Sequence, residues 1–146
     1  MASIDVSVEI DILAAPADVA GVMFDPARDP EWVKAVKDVE IVDPALEPGA
    51  RVRRTGQFLG REFAWTTQVD AVHFPHVLSL RIIDGPLTGT VRYDIQRAGP
   101  GSRVRIRSVG ESSLLGFLPS AMIEGPMRAA LTSDLERLKA IVEQSA

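Results

Sequence analysis

The sequence predicts an α+β fold: a curved antiparallel sheet of about six to seven strands around a long C-terminal helix, with two short helices after the first strand. Three observations carry this expectation. Residues 4–12 alternate apolar and polar without a break, and a long stretch from residue 37 onward returns to the same period of two. Residues 127–142 then change to a one-sided helical period. A sheet with one apolar face and a helix with one apolar stripe bury both by packing together.

Each element has its own local cause. Ile4, Val6, Val8, Ile10 and Ile12 alternate with Asp5, Ser7, Glu9 and Asp11, which makes a strand with one buried and one wet face. Pro16 suits the first turn of a helix, Asp18 favours its N-terminal dipole, and Pro26 stops it. Asp29-Pro30-Glu31 reads as cap, first position and first-turn acid of a second short helix carrying Trp32 and Val36. A meander follows, with strands expected over Val39–Val42, Arg51–Leu59, Glu62–Val72, Val77–Ile83, Thr88–Gln96 and Arg103–Val109. Tight turns are expected at Gly60-Arg61 and Asp84-Gly85-Pro86. Met127, Leu131, Leu135, Leu138 and Val142 form the closing stripe. Proline inside a helix gives up a backbone hydrogen bond, so Gly125-Pro126 should separate a short helix near residues 117–124 from a long one reaching about residue 143.

The 146 residues suit one domain over 1–146, able to bury roughly 68–70% of its unfolded surface. Without Cys the chain has no disulfide, no thiolate metal site and no cysteine nucleophile. No apolar run reaches the ~18–20 residues of a membrane span, and the acidic alternation of the N-terminus fits neither a signal nor a transit peptide. A cytoplasmic protein without stable membrane insertion is expected. The net charge of −4 hides a segregation: ten of the 13 Arg lie in residues 51–107, while residues 1–50 hold eleven acids against three cations.

Four segments resemble the START/Bet v 1-like (SRPBCC) helix-grip superfamily of polyketide cyclase/dehydrase and lipid transport type. They are the junction Ile10-Asp11-Ile12-Leu13-Ala14-Ala15-Pro16-Ala17-Asp18-Val19, the segment Asp29-Pro30-Glu31-Trp32, the late hairpin Gly89-Thr90-Val91-Arg92-Tyr93 with Gly101-Ser102-Arg103-Val104, and the closing Leu135-Glu136-Arg137-Leu138-Lys139. The resemblance covers nearly the whole chain. It implies a hydrophobic cavity between sheet and long helix, in a superfamily whose members bind lipids, sterols, quinones or polyketides and include cyclases. The glycine-rich loop of the plant allergens is absent, its place being taken by Ala45-Leu46-Glu47-Pro48-Gly49.

Strand parity assigns the faces. Val52, Arg54, Gly56 and Phe58 share the inner side, as do Phe63, Trp65, Thr67 and Val69 on the next strand. Leu78, Leu80 and Ile82, then Val91, Tyr93 and Ile95, then Val104, Ile106 and Ser108, follow the same rule. Nine of the ten middle Arg therefore face water or turns. Arg54 remains inside, as a ligand anchor, a strand-end group in water, or the partner of an acid such as Glu124. Trp65, Thr67, Tyr93 and Ser108 are the neutral polar groups of the expected cavity, with core packing as the alternative for the aromatics. Trp32, Met127 and Phe117 are entrance-lining candidates that serve equally as core. The apolar connection Leu114-Leu115-Gly116-Phe117-Leu118 reads as a lid or a partner surface.

Other chemistry finds little support. His73 and His76 sit in a turn with no third ligand nearby, so neither a metal nor another cofactor is expected. The Arg-bearing outer face is interrupted by Glu62, Asp70 and Asp94 and lacks interleaved aromatics, so nucleic acid is not an expected partner. No carboxylate shares parity with the middle of an inner strand face, which disfavours general acid–base catalysis. The leading expectation is a carrier of a small hydrophobic ligand such as a lipid, quinone or polyketide. A cyclase/dehydratase-like enzyme, in which Arg54 and Tyr93 stabilise an enolate, is the alternative. A protein-interaction module is the third, with a homodimer left open.

Overall fold

The computed structural model describes residues 2–112 and 118–145. In chain order it runs β1 (Ala2–Ile12), α1 (Pro16–Met23), α2 (Asp29–Trp32), β2 (Val36–Ile41), β3 (Arg51–Phe58), β4 (Arg61–His73), β5 (Val77–Asp84), β6 (Leu87–Ala98), β7 (Gly101–Ser112) and α3 (Ser120–Ser145). The seven strands make one antiparallel sheet in the order β1-β7-β6-β5-β4-β3-β2. This is the helix-grip arrangement that the resemblance implies. Register shifts on β2 between Val36 and Asp38, and at two places on β4, are bulges of the kind that bend a sheet.

Parity holds along β1, β3, β5, β6 and β7, and is interrupted at the bulges of β2 and β4. Val52, Arg54 and Gly56 are buried while Arg51 and Arg53 are exposed, and Val104 and Ile106 are buried while Arg103, Arg105 and Arg107 are exposed. Three of the outward Arg meet acids of the N-terminal segment. Arg107 Nη2 lies 2.9 Å from Asp5 Oδ2 and Arg103 Nε 3.1 Å from Asp11 Oδ1, across the β1–β7 seam, and Arg51 Nε 2.9 Å from Asp43 Oδ2. Part of the charge segregation in the sequence is thus ion pairing in space.

β1 is an edge strand, and several backbone groups along it and just after it are taken up by side chains of α3. The Asp5 N–H donates to Glu124 Oε2 and the Leu13 N–H to Glu143 Oε2, at 2.9 and 2.8 Å. Arg128 Nη1 and Lys139 Nζ donate to the carbonyls of Ser7 and Asp11, at 2.8 and 3.1 Å. These bonds cover an edge that would otherwise template pairing with another chain. They also assign Glu124 to β1, not to Arg54.

The helices depart from expectation in three places. Asp29 is not a cap: it opens α2 behind Arg28, and its carboxylate turns inward. The cap in this region is Asp25, whose Oδ1 accepts the Ala27 N–H at 3.1 Å ahead of a 3₁₀ turn, Pro26–Arg28. α2 also ends at Trp32, so Val36 begins β2. At the other end α3 is one continuous helix with Pro126 inside it. The missing bond is the one to the Met122 carbonyl, four residues back; Met122, Gly125 and Pro126 all lie on the exposed side, where water can serve that carbonyl.

A smaller correction concerns the β3–β4 hairpin. Its two turn residues are Leu59 and Gly60, with φ of 52° and 76°, closed by the pair Phe58 and Arg61. Two positive φ values in a two-residue loop mark the type I′ turn that matches strand twist.

Candidate polar-ended cavity

The stripe of α3 is not uniformly buried. Leu135, Leu138 and Val142 are at most 2% exposed, in the core that α3 shares with β1 and α1, and each contributes roughly 1.5–3 kcal/mol. Leu131 and Met127, one and two turns earlier, remain partly exposed. The C-terminal half of the helix packs tightly on the sheet, whereas the N-terminal half spans a gap. That gap is a cavity of about 180 Å³.

Its walls are mainly apolar. Phe58, Phe63, Leu80, Ile82 and Val91 line it from the sheet, and Ile123, Met127 and Leu131 from the helix. Of the residues expected inside from parity, Arg54, Trp65, Thr67, Tyr93 and Ser108 all reach it, and Met127 joins them from α3. Trp32 does not. It is 1% exposed and packs on Tyr93 with ring centroids 5.8 Å apart, so it is a core residue. Phe117 and the rest of the apolar connection at residues 114–117 lie outside the described residues.

Polar groups gather at one end. Arg54 Nε donates to Asp29 Oδ2 and Arg54 Nη1 to Thr67 Oγ1, both at 2.6 Å. This settles the position of Arg54: it is buried and ion-paired, not in water at a strand end. Asp134, also buried and on the cavity wall, accepts the Lys34 N–H at 3.2 Å through Oδ1 and binds Arg137 Nη2 through the same atom. Arg137 Nε donates to the Trp32 carbonyl at 3.0 Å, which ties the end of α2 to α3.

The electrostatics follow from desolvation. Burial pushes the Asp29 carboxyl above its ordinary range, against the pull of the Arg54 guanidinium. Burial likewise raises Asp134, against the Lys34 N–H and Arg137. The Tyr93 phenol is driven far up by burial and then by Asp29, so it stays protonated and available as a donor. Its ring is held by Phe24 as well as by Trp32, with the Phe24 ring stacked at a 6.4 Å centroid distance.

Asp29 and Asp134 are functional candidates that strand parity cannot reach, because both sit on helices. A signal for Asp134 did exist: it falls three residues after Leu131 and four before Leu138, a carboxylate on an otherwise apolar stripe. Asp29 had none, since Asp-Pro-Glu is also a helix-start pattern.

The remaining candidates behave as structure. His76 Nδ1 donates to the Ile95 carbonyl at 2.8 Å, fastening the β4–β5 turn to β6. Among the described residues no group of three or more His, Asp or Glu is arranged to hold a metal ion. Among them, too, no helix is long and apolar enough to cross a membrane.

Comparison with known proteins agrees with this architecture. The family model described as polyketide cyclase/dehydrase and lipid transport matches residues 1–143. Among solved structures, a START superfamily protein from Mycobacterium smegmatis superposes with a TM-score of 0.84 at 18% identity, covering 97% of this chain and 99% of that one. TTHA0849 from Thermus thermophilus gives 0.82 at 20% identity, over 97% and 99%. The Zhui aromatase/cyclase from Streptomyces sp. R1128 gives 0.73 at 16% identity, over 96% and 93%. No curated protein matches in sequence. Identities this low speak for the fold alone, and the match of the family model along the chain carries the assignment. The chain belongs to the polyketide cyclase/dehydrase and lipid transport family.

Proposed function

We propose that the protein binds a small hydrophobic molecule reversibly in the cavity between the sheet and α3. The observation that carries this reading is the cavity itself: about 180 Å³ with mainly apolar walls and a few polar groups converging at one end. Sites of this composition hold a ligand by burial of its apolar body and orient it through a small number of hydrogen bonds. Native mass spectrometry of freshly purified protein, followed by titration with a panel of lipids, quinones and polyketide-like aromatics, tests it. A retained or added ligand that binds one per chain and raises Tm is expected. A protein that retains nothing, and whose Tm none of the panel moves, overturns the reading.

A second reading, a cyclase- or dehydratase-like enzyme, gains from one observation. Two buried carboxylates with raised proton affinity, Asp29 and Asp134, share the cavity with Tyr93, which is the material of acid–base chemistry. The description of the matching family model, which names cyclase and dehydrase chemistry beside lipid transport, adds weight to it. Turnover of aromatic polyketide surrogates that falls in both Tyr93→Phe and Asp134→Asn supports this reading. Turnover unchanged in both removes these residues as its basis.

A further inference from the structure

We infer that the ligand is uncharged and presents a hydroxyl-type group, one that both donates and accepts, to the polar end of the cavity, and that anionic head groups are disfavoured there. This rests on the binding reading above and specifies its ligand. Three buried charged side chains line that end: Arg54, Asp29 and Asp134, at 7, 4 and 3% exposure. Both cations near these carboxylates are already committed. Arg54 spends Nε on Asp29 and Nη1 on Thr67, while Arg137 binds Asp134 through Nη2 and the Trp32 carbonyl through Nε. A carboxylate or phosphate entering here finds no unpaired cation to offset its desolvation, and it lies beside two acids.

The uncommitted atoms are of both kinds. Asp29 Oδ1 and Asp134 Oδ2 accept no hydrogen bond from the described residues, and Arg54 Nη2 and the Tyr93 hydroxyl donate none to them. A hydroxyl, phenol or enol answers both kinds: its proton goes to a carboxylate oxygen and its lone pair accepts from Arg54 or Tyr93. The size of the cavity limits the rest. At about 180 Å³ it is close to the ~150 Å³ apolar cavity that admits benzene, so the buried part of the ligand amounts to one or two rings. Any longer portion lies towards the mouth.

The test is calorimetric titration of the wild-type protein with 2-naphthol, naphthalene and 2-naphthoate at about pH 7.5, where only the last is charged. The naphthol is expected to bind about tenfold or more tighter than the naphthoate, and tighter than naphthalene. In Asp134→Asn, shown by circular dichroism to be folded, naphthoate binding improves about threefold or more while naphthalene binding is unchanged. Naphthoate binding as tightly as naphthol in the wild-type protein overturns the inference and leaves the cavity reading standing. Naphthalene binding as tightly as naphthol does the same, since the polar end then recognises nothing. If none of the three binds and the panel described above also fails, both fall together.

Discussion

Arg54 Nε and Asp29 Oδ2 lie 2.6 Å apart with both side chains buried, so a four-residue helix is clamped to β3 by a desolvated ion pair. Removing one partner of such a pair strands the other, at a cost of about 3–5 kcal/mol. Arg54→Met should lose roughly that much stability in urea denaturation. The double variant Arg54→Met/Asp29→Leu should recover ~1 kcal/mol or more of the loss, because no unpaired charge remains. A double variant as unstable as the sum of the two singles would show that the pair is not coupled.

Gly56 is required by a close approach of backbone to backbone. A Cβ added there would sit 1.8 Å from the Ala35 carbonyl oxygen, which also accepts the Gln57 N–H at 2.9 Å. Gly56→Ala must displace the α2–β2 connection and should cost about 3 kcal/mol. Gly21, in the exposed side of α1 with nothing within 4 Å of an added Cβ, supplies the contrast. Gly21→Ala should stabilise by about 0.5–1 kcal/mol, so the two variants are expected to shift Tm in opposite directions.

Leu59 occupies the left-handed region at a φ of 52° and is 42% exposed, in a turn position that suits Asn. Leu59→Asn should raise stability by about 0.5–1 kcal/mol, read as an increase in Tm. No change or a decrease would mean that the Leu59 side chain contributes packing worth more than the backbone strain.

Asp134 makes stability depend on pH in the direction opposite to that of a well-paired surface acid. Burial raises its folded-state affinity for a proton above that of the unfolded chain. Its contribution is therefore present at low pH and lost as pH rises through the raised folded value. Asp134→Asn removes the titration, so its Tm relative to wild type should climb as pH rises from about 4, the ordinary range of an Asp carboxyl. A difference that is flat or falling as pH rises refutes the assignment.

Much of this molecule is legible in the sequence because a period of two is a local property. The alternation around Arg54, Thr67, Tyr93 and Ser108 places each side chain on a face, whatever the strand's neighbours. What parity does not contain is the identity of the elements that close over that face. Asp29 and Arg54 are 25 residues apart, and nothing near either names the other. The same limit hides Asp134, whose meaning depends on which stretch of α3 spans the gap. Pro126 misleads for a different reason: a missing hydrogen bond breaks a helix where the carbonyl is buried, and here it faces water.

The fastening of β1 has a consequence for how the chain acquires its shape during synthesis. β1 leaves the ribosome well before β7 and α3, the two elements that flank it in the fold. Until both have emerged, β1 is an apolar alternating segment without these partners, and late, long-range closure of this kind is slow. Asp5, Glu9 and Asp11 then act as gatekeepers: their mutual repulsion discourages two such nascent segments from pairing with each other. The acids that later meet Arg103 and Arg107 keep the strand single until those arginines exist.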